Sequence, residues 1–156
     1  MRKVGIVVLG LALGGVVAGG GVALASSAQP HITSAETIRV LEHDTHQAFV
    51  DINHNHKPDP GDEFVFAGPL SNPNTHKVVG SVNGVCTVTF GQTAVCNGTG
   101  TINGKGQIEV AGTSGFGKHF DIAVTGGTGL YQNARGILHV DQINDTDSID
   151  TLHLIP

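Results

Sequence analysis

The residue types and spacing best suited to chemistry fall in one loop that is rich in carboxylates and amides. Side-chain oxygens occupy positions 1, 3, 5, 9 and 12 of the stretch DINHNHKPDPGD, in the residues Asp51, Asn53, Asn55, Asp59 and Asp62. A calcium ion takes six to eight oxygen ligands, and the EF-hand spaces its side chains in this way. The match is incomplete, because position 6 is His56 rather than Gly and position 12 is Asp rather than Glu. The loop predicts a weak Ca²⁺ site, against the alternative of a solvated loop whose side chains cap its own turns.

Histidines concentrate in the same third of the chain, at His43, His46, His54, His56 and His76. Histidine-rich tracts can bind Zn²⁺ or Cu²⁺, and neutral imidazole is a common metal ligand. The alternative is that loop histidines are solvated, in which case they would charge together near pH ~6.5.

Four further side chains are candidates for catalysis: Arg39, Asp44, Tyr131 and Arg135. A positioned carboxylate or phenol can transfer a proton, and a guanidinium can stabilise developing negative charge. Tyr131 has an alternative role as a packing ring at the end of a barrel. Arg135 has an alternative role as the partner of Asp121 or Asp141. The serine-hydrolase motif G-x-S-x-G is absent from the sequence.

These residues must be positioned by short extended segments. Strand-like composition recurs over residues 36–42, 48–51, 62–67, 77–90, 99–102, 107–111, 121–125, 134–140 and 149–155. A bulge or turn is expected at Asn83-Gly84, a hairpin turn at Asn103-Gly104, and a tight reversal with positive φ at 126–129. No helical period of useful length occurs outside the N-terminal leader. Some eight strands joined by glycine turns predict an antiparallel barrel or sandwich.

The two cysteines lie equally far from Gly91, which centres a predicted hairpin turn over Phe90-Gly91-Gln92. Cys86 and Cys96 would therefore face each other across two strands, with Cβ atoms ~4.5–5.5 Å apart. A disulfide is expected between them in an exported chain.

The N-terminus has the pattern of an export signal. Arg2-Lys3 precede an apolar run over 4–17, and Ala23-Leu24-Ala25 forms an A-x-A cleavage site before Ser26. The sequence thus predicts a signal peptide over 1–25, a short polar lead-in over 26–35 and a β-barrel domain over 36–156. The alternative is a retained anchor, because an uncharged run of ~20 residues can span a bilayer. In either case the domain is exported, and after cleavage we expect a secreted protein without a membrane partner.

The net charge is −5, and loss of Arg2 and Lys3 with the leader takes it to about −7. An acidic domain lacks the basic footprint of nucleic-acid binders, so nucleic acid is not expected as a partner.

The glycine-rich segment over 126–136 resembles the G-G-T/S-G-x-Y/F-x-x-A-R/Y-G segment of the allene oxide cyclase and dirigent superfamily. The stretches VLEHD at 40–44 and GDEFVF at 61–66 resemble two strands of that superfamily. CNGTG at 96–100 and GQIEVAG at 106–112 are similar to its secreted bacterial members. The resemblance implies an all-β, eight-stranded antiparallel barrel, often a homotrimer. The first-strand carboxylate of the plant cyclases aligns with Arg39, and residues 96–115 contain no tyrosine at the cyclases' second catalytic position.

The resemblance implies that the barrel binds a small hydrophobic or phenolic molecule in its cavity and steers its cyclisation or coupling. A second hypothesis is a true cyclase or isomerase in which Asp44, Arg39 or Arg135 polarises the substrate. A third is a secreted structural module with a filled barrel, a Ca²⁺-stabilised loop and no catalytic activity. No cofactor is required by the first two hypotheses.

Overall fold

The computed structural model describes residues 31–156, so the predicted signal peptide lies outside the described residues. Nine strands follow one another over β1 (Glu36–His43), β2 (His46–Val50), β3 (Glu63–Ser71), β4 (Val78–Thr89), β5 (Thr93–Ile102), β6 (Gly106–Gly115), β7 (His119–Gly127), β8 (Arg135–Gln142) and β9 (Asp147–Ile155). A three-residue 3₁₀ turn, Gly129–Tyr131, lies between β7 and β8. Over residues 31–156, no helix is long and apolar enough to cross a membrane.

The strands form one antiparallel sheet that closes on itself. Neighbours follow the order β1-β9-β8-β7-β6-β5-β4-β3-β2, and β1 also pairs with β3. The closing contact consists of Leu41 opposite Ser71 and Glu42 opposite Leu70. β2 continues along β3 from His46 opposite Ala67 to Val50 opposite Glu63. β1 and β2 therefore share one position in the ring, and the predicted eight-stranded barrel is confirmed.

Alternation of side chains divides each strand between the interior and the outer wall. At one end of the barrel the interior is packed by a cluster of buried side chains: Ile32, Ile108, Val124, Tyr131, Ala134, Leu138, Leu152 and Leu154. A smaller cluster of Ala94, Cys96 and Ile122 lies further along the wall. Because the larger cluster closes one end, the space left inside the barrel opens at the other.

The predicted hairpins around the cysteines and around Asn103-Gly104 are both present. Cys86 lies directly opposite Cys96, and the two form a disulfide. The β5–β6 connection turns at Gly104, where φ is +73°. A disulfide between opposed strands is typical of an oxidising compartment.

The expected interruption at Asn83-Gly84 is wrong. β4 runs through both residues, and its pairing with β3 and with β5 keeps one register there. Gly84 is required for packing instead, because a Cβ at this position would overlap the ring of Phe66 on the neighbouring strand.

The tight reversal expected over 126–129 is also different in the structure. Gly126 and Gly127 belong to β7, and of the three glycines only Gly129 has a positive φ, +61°. The chain then makes the 3₁₀ turn, which places Tyr131 in the packed end of the barrel.

Gly68 makes the passage from β1 to β2 possible. A Cβ at Gly68 would overlap the backbone carbonyl oxygen of His43, the last residue of β1. Since both groups belong to backbone that is fixed by sheet pairing, neither can move without disturbing the closure of the ring.

We therefore expect Gly68→Ala to lower the free energy of unfolding by about 1–3 kcal/mol, the usual cost of forcing an extra methyl into a packed site. Gly100→Ala is the matched control, because its new Cβ would meet Leu70 Cδ1 at an ordinary 3.8 Å. Urea unfolding of the two variants measures the difference, and equal stabilities would show that the β1–β3 contact tolerates the methyl group.

Candidate functional site

A cavity of about 690 Å³ occupies the barrel between the packed end and the opposite rim. The rim is formed by the chain around Gln47, by residues 115–117 and by the β8–β9 turn at 145–147. Most of the wall is apolar, with side chains such as Val40, Leu70, Ile108, Val110, Ile122, Val140 and Leu152. A cavity of this size and lining suits one small hydrophobic molecule.

Two carboxyl groups lie together on adjacent strands of the cavity wall. Glu42 on β1 is opposite Ser148 on β9, and Asp150 is opposite Val40. Glu42 and Asp150 are thus diagonal neighbours on the inner face, within the reach of their side chains. Ser148 Oγ donates a hydrogen bond of 2.7 Å to Asp150 Oδ1. Asp150 is 5 % exposed, and Glu42 is half-buried in the cavity wall.

The surroundings of this pair favour protonated carboxyl groups. Burial raises the pKa of Glu42 well above its usual range, and hydrogen bonding and charge repulsion with Asp150 and Asp44 raise it further. Burial also raises the pKa of Asp150, against hydrogen bonds from Glu42 and Ser148 that lower it. A carboxyl group that keeps its proton near neutral pH can act as a general acid.

Asp44 lies above the pair, on the segment that joins β1 to β2. Its Oδ2 accepts a hydrogen bond of 3.0 Å from Gln47 Nε2. Its Oδ1 is buried and has no hydrogen-bond partner among residues 31–156. A buried acceptor without a donor is costly, so this oxygen is available to a ligand that donates a hydrogen bond.

Aromatic rings surround the open rim. The ring centroids of Phe49 and Phe64 are 4.9 Å apart, and Phe64 meets Phe116 edge-on at 6.5 Å. All three line the cavity, although Phe116 is 58 % exposed and Phe49 is 39 % exposed. The rim therefore presents aromatic surface to any molecule that enters the cavity.

Of the four predicted catalytic residues, only Asp44 lines this cavity. Arg39 and Arg135 are exposed on the outer wall. Tyr131 is fully buried in the packed end, and burial together with the charge of Glu36 raises the pKa of its hydroxyl to about 12. The structure does not bring these three side chains to Asp44.

Sequence reasoning missed Glu42 and Asp150. A signal was present, since each alternates with apolar inward residues, Glu42 with Val40 and Asp150 with Leu152. An acidic residue at a core-facing position of a strand is unusual unless it has a partner or a function.

Several histidines pair with carboxylates on the outer wall or at the rim rather than forming a cluster of their own. His43 Nδ1 lies 2.5 Å from Asp147, and His119 Nδ1 lies 2.7 Å from Asp141. His139 Nδ1 lies 2.6 Å from Asp121, whose hydrogen bond raises the pKa of that imidazole. Within the described part of the chain, no group of three or more His, Cys, Asp or Glu side chains is placed to hold a metal ion.

The loop over 51–62 folds around its own side chains. Asn53 and Asn55 both donate to Asp59 Oδ2. Asp62, at 1 % exposure, accepts from the backbone amides of Ile52 and Asp59. Asp51 Oδ2 accepts from the His56 amide at 2.7 Å, while Asp51 Oδ1 is buried without a partner in residues 31–156. The five predicted oxygen-bearing residues share one loop, and its Ca²⁺ site stays a prediction.

Three solved proteins share this architecture. A pyocyanin demethylase is 28 % identical to the chain, with a TM-score of 0.67 over 76 % of this chain and 99 % of that protein. This is the fold of the allene oxide cyclase and dirigent superfamily. Two pterocarpan synthase dirigent proteins are 16 % and 17 % identical, with TM-scores of 0.63 and 0.61. They match 78 % and 77 % of this chain and 94 % and 82 % of their own lengths.

No protein-family model and no curated protein matches the sequence. The superfamily resemblance is thus confirmed by the structure, whereas export, the homotrimer and the ligand stay predictions.

The raised pKa of Glu42 makes folding stability depend on pH. The folded state binds the proton more tightly than the unfolded chain does, so stability falls as pH rises from the unfolded pKa of ~4.5 towards the folded value. We expect Glu42→Gln to remove most of this fall and to be more stable than the wild type at pH 8, on the order of 1–4 kcal/mol. Urea unfolding of the wild type and of Glu42→Gln at pH 5 and pH 8 measures this difference in stability. Glu109→Gln on β6 is the control and should keep the pH dependence of the wild type. An unchanged pH dependence in Glu42→Gln would contradict the raised pKa of Glu42.

For the loop over 51–62, we expect millimolar Ca²⁺ to raise the unfolding temperature relative to EDTA, because the ion would occupy oxygens such as the unpartnered Asp51 Oδ1. Asp51→Asn should remove the Ca²⁺ effect, whereas Asp121→Asn on the outer wall should keep it. Identical unfolding temperatures of the wild type in Ca²⁺ and in EDTA would show that the loop is closed by its own hydrogen bonds.

Proposed function

We propose that the barrel binds a small hydrophobic or phenolic aromatic molecule in its cavity and steers its cyclisation, coupling or isomerisation, with the Glu42–Asp150 pair as proton donor. The observation that carries this proposal is a pair of adjacent carboxyl groups, without a basic partner among residues 31–156, in the wall of an open, largely apolar cavity of about 690 Å³. Burial raises the pKa of both groups, which favours their protonated forms. A barrel filled by its own side chains, as a purely structural module would have, leaves no such volume. The names of the similar proteins support small molecules as the class of ligand.

The two parts of the site have separate roles in this proposal. The aliphatic wall and the aromatic rim exclude water and fix the orientation of the bound molecule, which is how a shaped cavity selects one product geometry. The carboxyl pair supplies a proton where negative charge develops on the bound molecule, and Asp150 then shares the charge left on Glu42. No step requires a metal ion or an organic cofactor.

Gly100 offers a way to fill the cavity without disturbing the sheet. It lies on the inner face of β5, and a Cβ there makes only an ordinary contact with Leu70. Val95 lies on the outer face of the same strand and is 41 % exposed.

We expect the neutral probe N-phenyl-1-naphthylamine to gain fluorescence on binding to the wild type, since its rings would leave water for the cavity. Gly100→Leu should weaken binding at least tenfold because the new side chain occupies the cavity. Val95→Leu, the matched control, should bind like the wild type. Equal binding by both variants would place the probe outside the cavity and contradict the proposal.

Pyocyanin is the first compound to test for turnover, because a demethylase of that compound shares this fold at 28 % identity. We expect the wild type to change the visible absorbance of pyocyanin over time and Glu42→Gln to bind it without that change. Binding without turnover by the wild type would favour a carrier over a protein that steers a reaction.

A further inference from the structure

Every charged side chain in the cavity wall has the same sign. Over residues 31–156 the wall contains five carboxyl groups, those of Glu42, Asp44, Asp145, Asp147 and Asp150, and no Lys, Arg or His. One of the five has a histidine partner outside the cavity, because His43 Nδ1 lies 2.5 Å from Asp147 Oδ1. The other four make no ion pair with a basic side chain in the described part of the chain.

The carboxyl groups occupy one side of the cavity. They belong to β1, to the segment after it, to β9 and to the turn before β9. In a ring of eight strand positions, the strands across from β1 and β9 are β6 and β5. These strands present Ala94, Ile108 and Val110 to the cavity. A bound molecule therefore meets an acidic wall on one side and an apolar wall on the other.

The aromatic side chains of the rim also favour a cationic ligand over an anionic one. The faces of aromatic rings carry partial negative charge and attract cations within about 6 Å of the ring centre. Phe49, Phe64 and Phe116 stand at the rim through which a ligand passes. An anionic group would pass these aromatic rings first and the carboxyl groups next.

We propose that the ligand of this cavity is a planar aromatic molecule that carries a cationic or basic nitrogen, and that aromatic carboxylates and sulfonates are excluded. This inference rests on the proposed function and specifies the ligand class of the same site. An N–H group of such a ligand is the donor that the unpartnered Asp44 Oδ1 lacks. An anion in the cavity would meet no basic side chain among residues 31–156 and would pass the carboxyl groups of Asp44 and Asp145, and like charges brought together in an interface cost several kcal/mol.

A neutral ring nitrogen has a partner in the same wall. The raised pKa keeps the proton on the Glu42 carboxyl group, which can therefore donate a hydrogen bond to a basic nitrogen without transferring the proton. The groups that face Glu42 are Asp150 and Ser148 on β9 and Asp44 beyond the end of β1, and none of them is a basic side chain.

Three acridines of nearly equal shape separate charge from size. They are 9-aminoacridine, which is a cation at pH 7.5, acridine, which is neutral there, and acridine-9-carboxylate, which is an anion. Each competes with N-phenyl-1-naphthylamine for the cavity of the wild-type domain. We expect the cation to bind at least tenfold more tightly than the neutral ring, and the anion to bind at least tenfold more weakly.

The variants separate the cavity from the net charge of the protein. Asp44→Asn at the rim should reduce the preference for the cation at least threefold. Asp121→Asn on the outer wall changes the net charge by the same amount and should leave that preference unchanged. Asp44 lies outside the β1–β9 pairing, so its substitution leaves the register of the two strands unchanged.

Each failure has a distinct meaning. If neutral acridine and the naphthylamine bind but the cation is not preferred over the anion, the inference is overturned and the proposed function stands. If Asp121→Asn lowers the preference as much as Asp44→Asn does, the selectivity comes from net charge, and the inference is again overturned. If no aromatic probe enters the cavity, the proposed function itself fails.

Discussion

The ring of strands closes through two residue pairs, Leu41 with Ser71 and Glu42 with Leu70, and both the fold and its chemistry depend on this short contact. The contact is short because the chain leaves β1 after His43 and resumes along β3 as β2, a passage that Gly68 permits by lacking a side chain. Without the contact between these two strands, β1 and the end of β3 at Leu70 and Ser71 would present unpaired backbone groups to other chains. The closing pair also contains Glu42, so closure of the barrel and burial of the acidic group are the same structural event.

Burial of Glu42 beside Asp150 has an energetic cost that the rest of the barrel must offset, since two carboxyl groups without a basic partner cannot both ionise cheaply. Burial raises the pKa of both groups and thereby favours their protonated forms, which lowers this cost. The outer wall follows the opposite rule. There His119 and His139 each lie beside an aspartate, as His43 does at the rim, and solvent screens the remaining charge. The carboxyl groups of Glu42 and Asp150 inside the barrel thus lack a basic partner among residues 31–156, whereas these other aspartates pair with histidines. This difference separates the candidate site from the rest of the barrel.

The solved proteins with this architecture show how little the barrel alone decides. A demethylase and two dirigent proteins share it at 16–28 % identity, and one fold can carry unrelated chemistries. The cavity wall of this chain combines carboxyl groups on one side, a mostly apolar opposite side and three phenylalanines at the rim. The packed end formed around Tyr131 and Leu154 fixes the depth of that cavity and leaves one open rim for entry.

The sequence by itself determined the elements that depend on neighbours along the chain. Alternating apolar residues, glycine turns and the symmetric spacing of Cys86 and Cys96 about Gly91 were enough to predict the strands, the hairpin and the disulfide, and the segment over 126–136 indicated the superfamily. Only the tertiary structure decided which side chains meet inside. Glu42 and Asp150 are 108 positions apart in the sequence, and their proximity follows from the antiparallel register of β1 and β9. Asn83-Gly84 has the local pattern of a turn, yet Gly84 is needed because a side chain there would overlap the ring of Phe66. Phe66 belongs to another strand, so the residues around Gly84 do not show this contact. A local pattern contains no information about partners that a distant strand supplies.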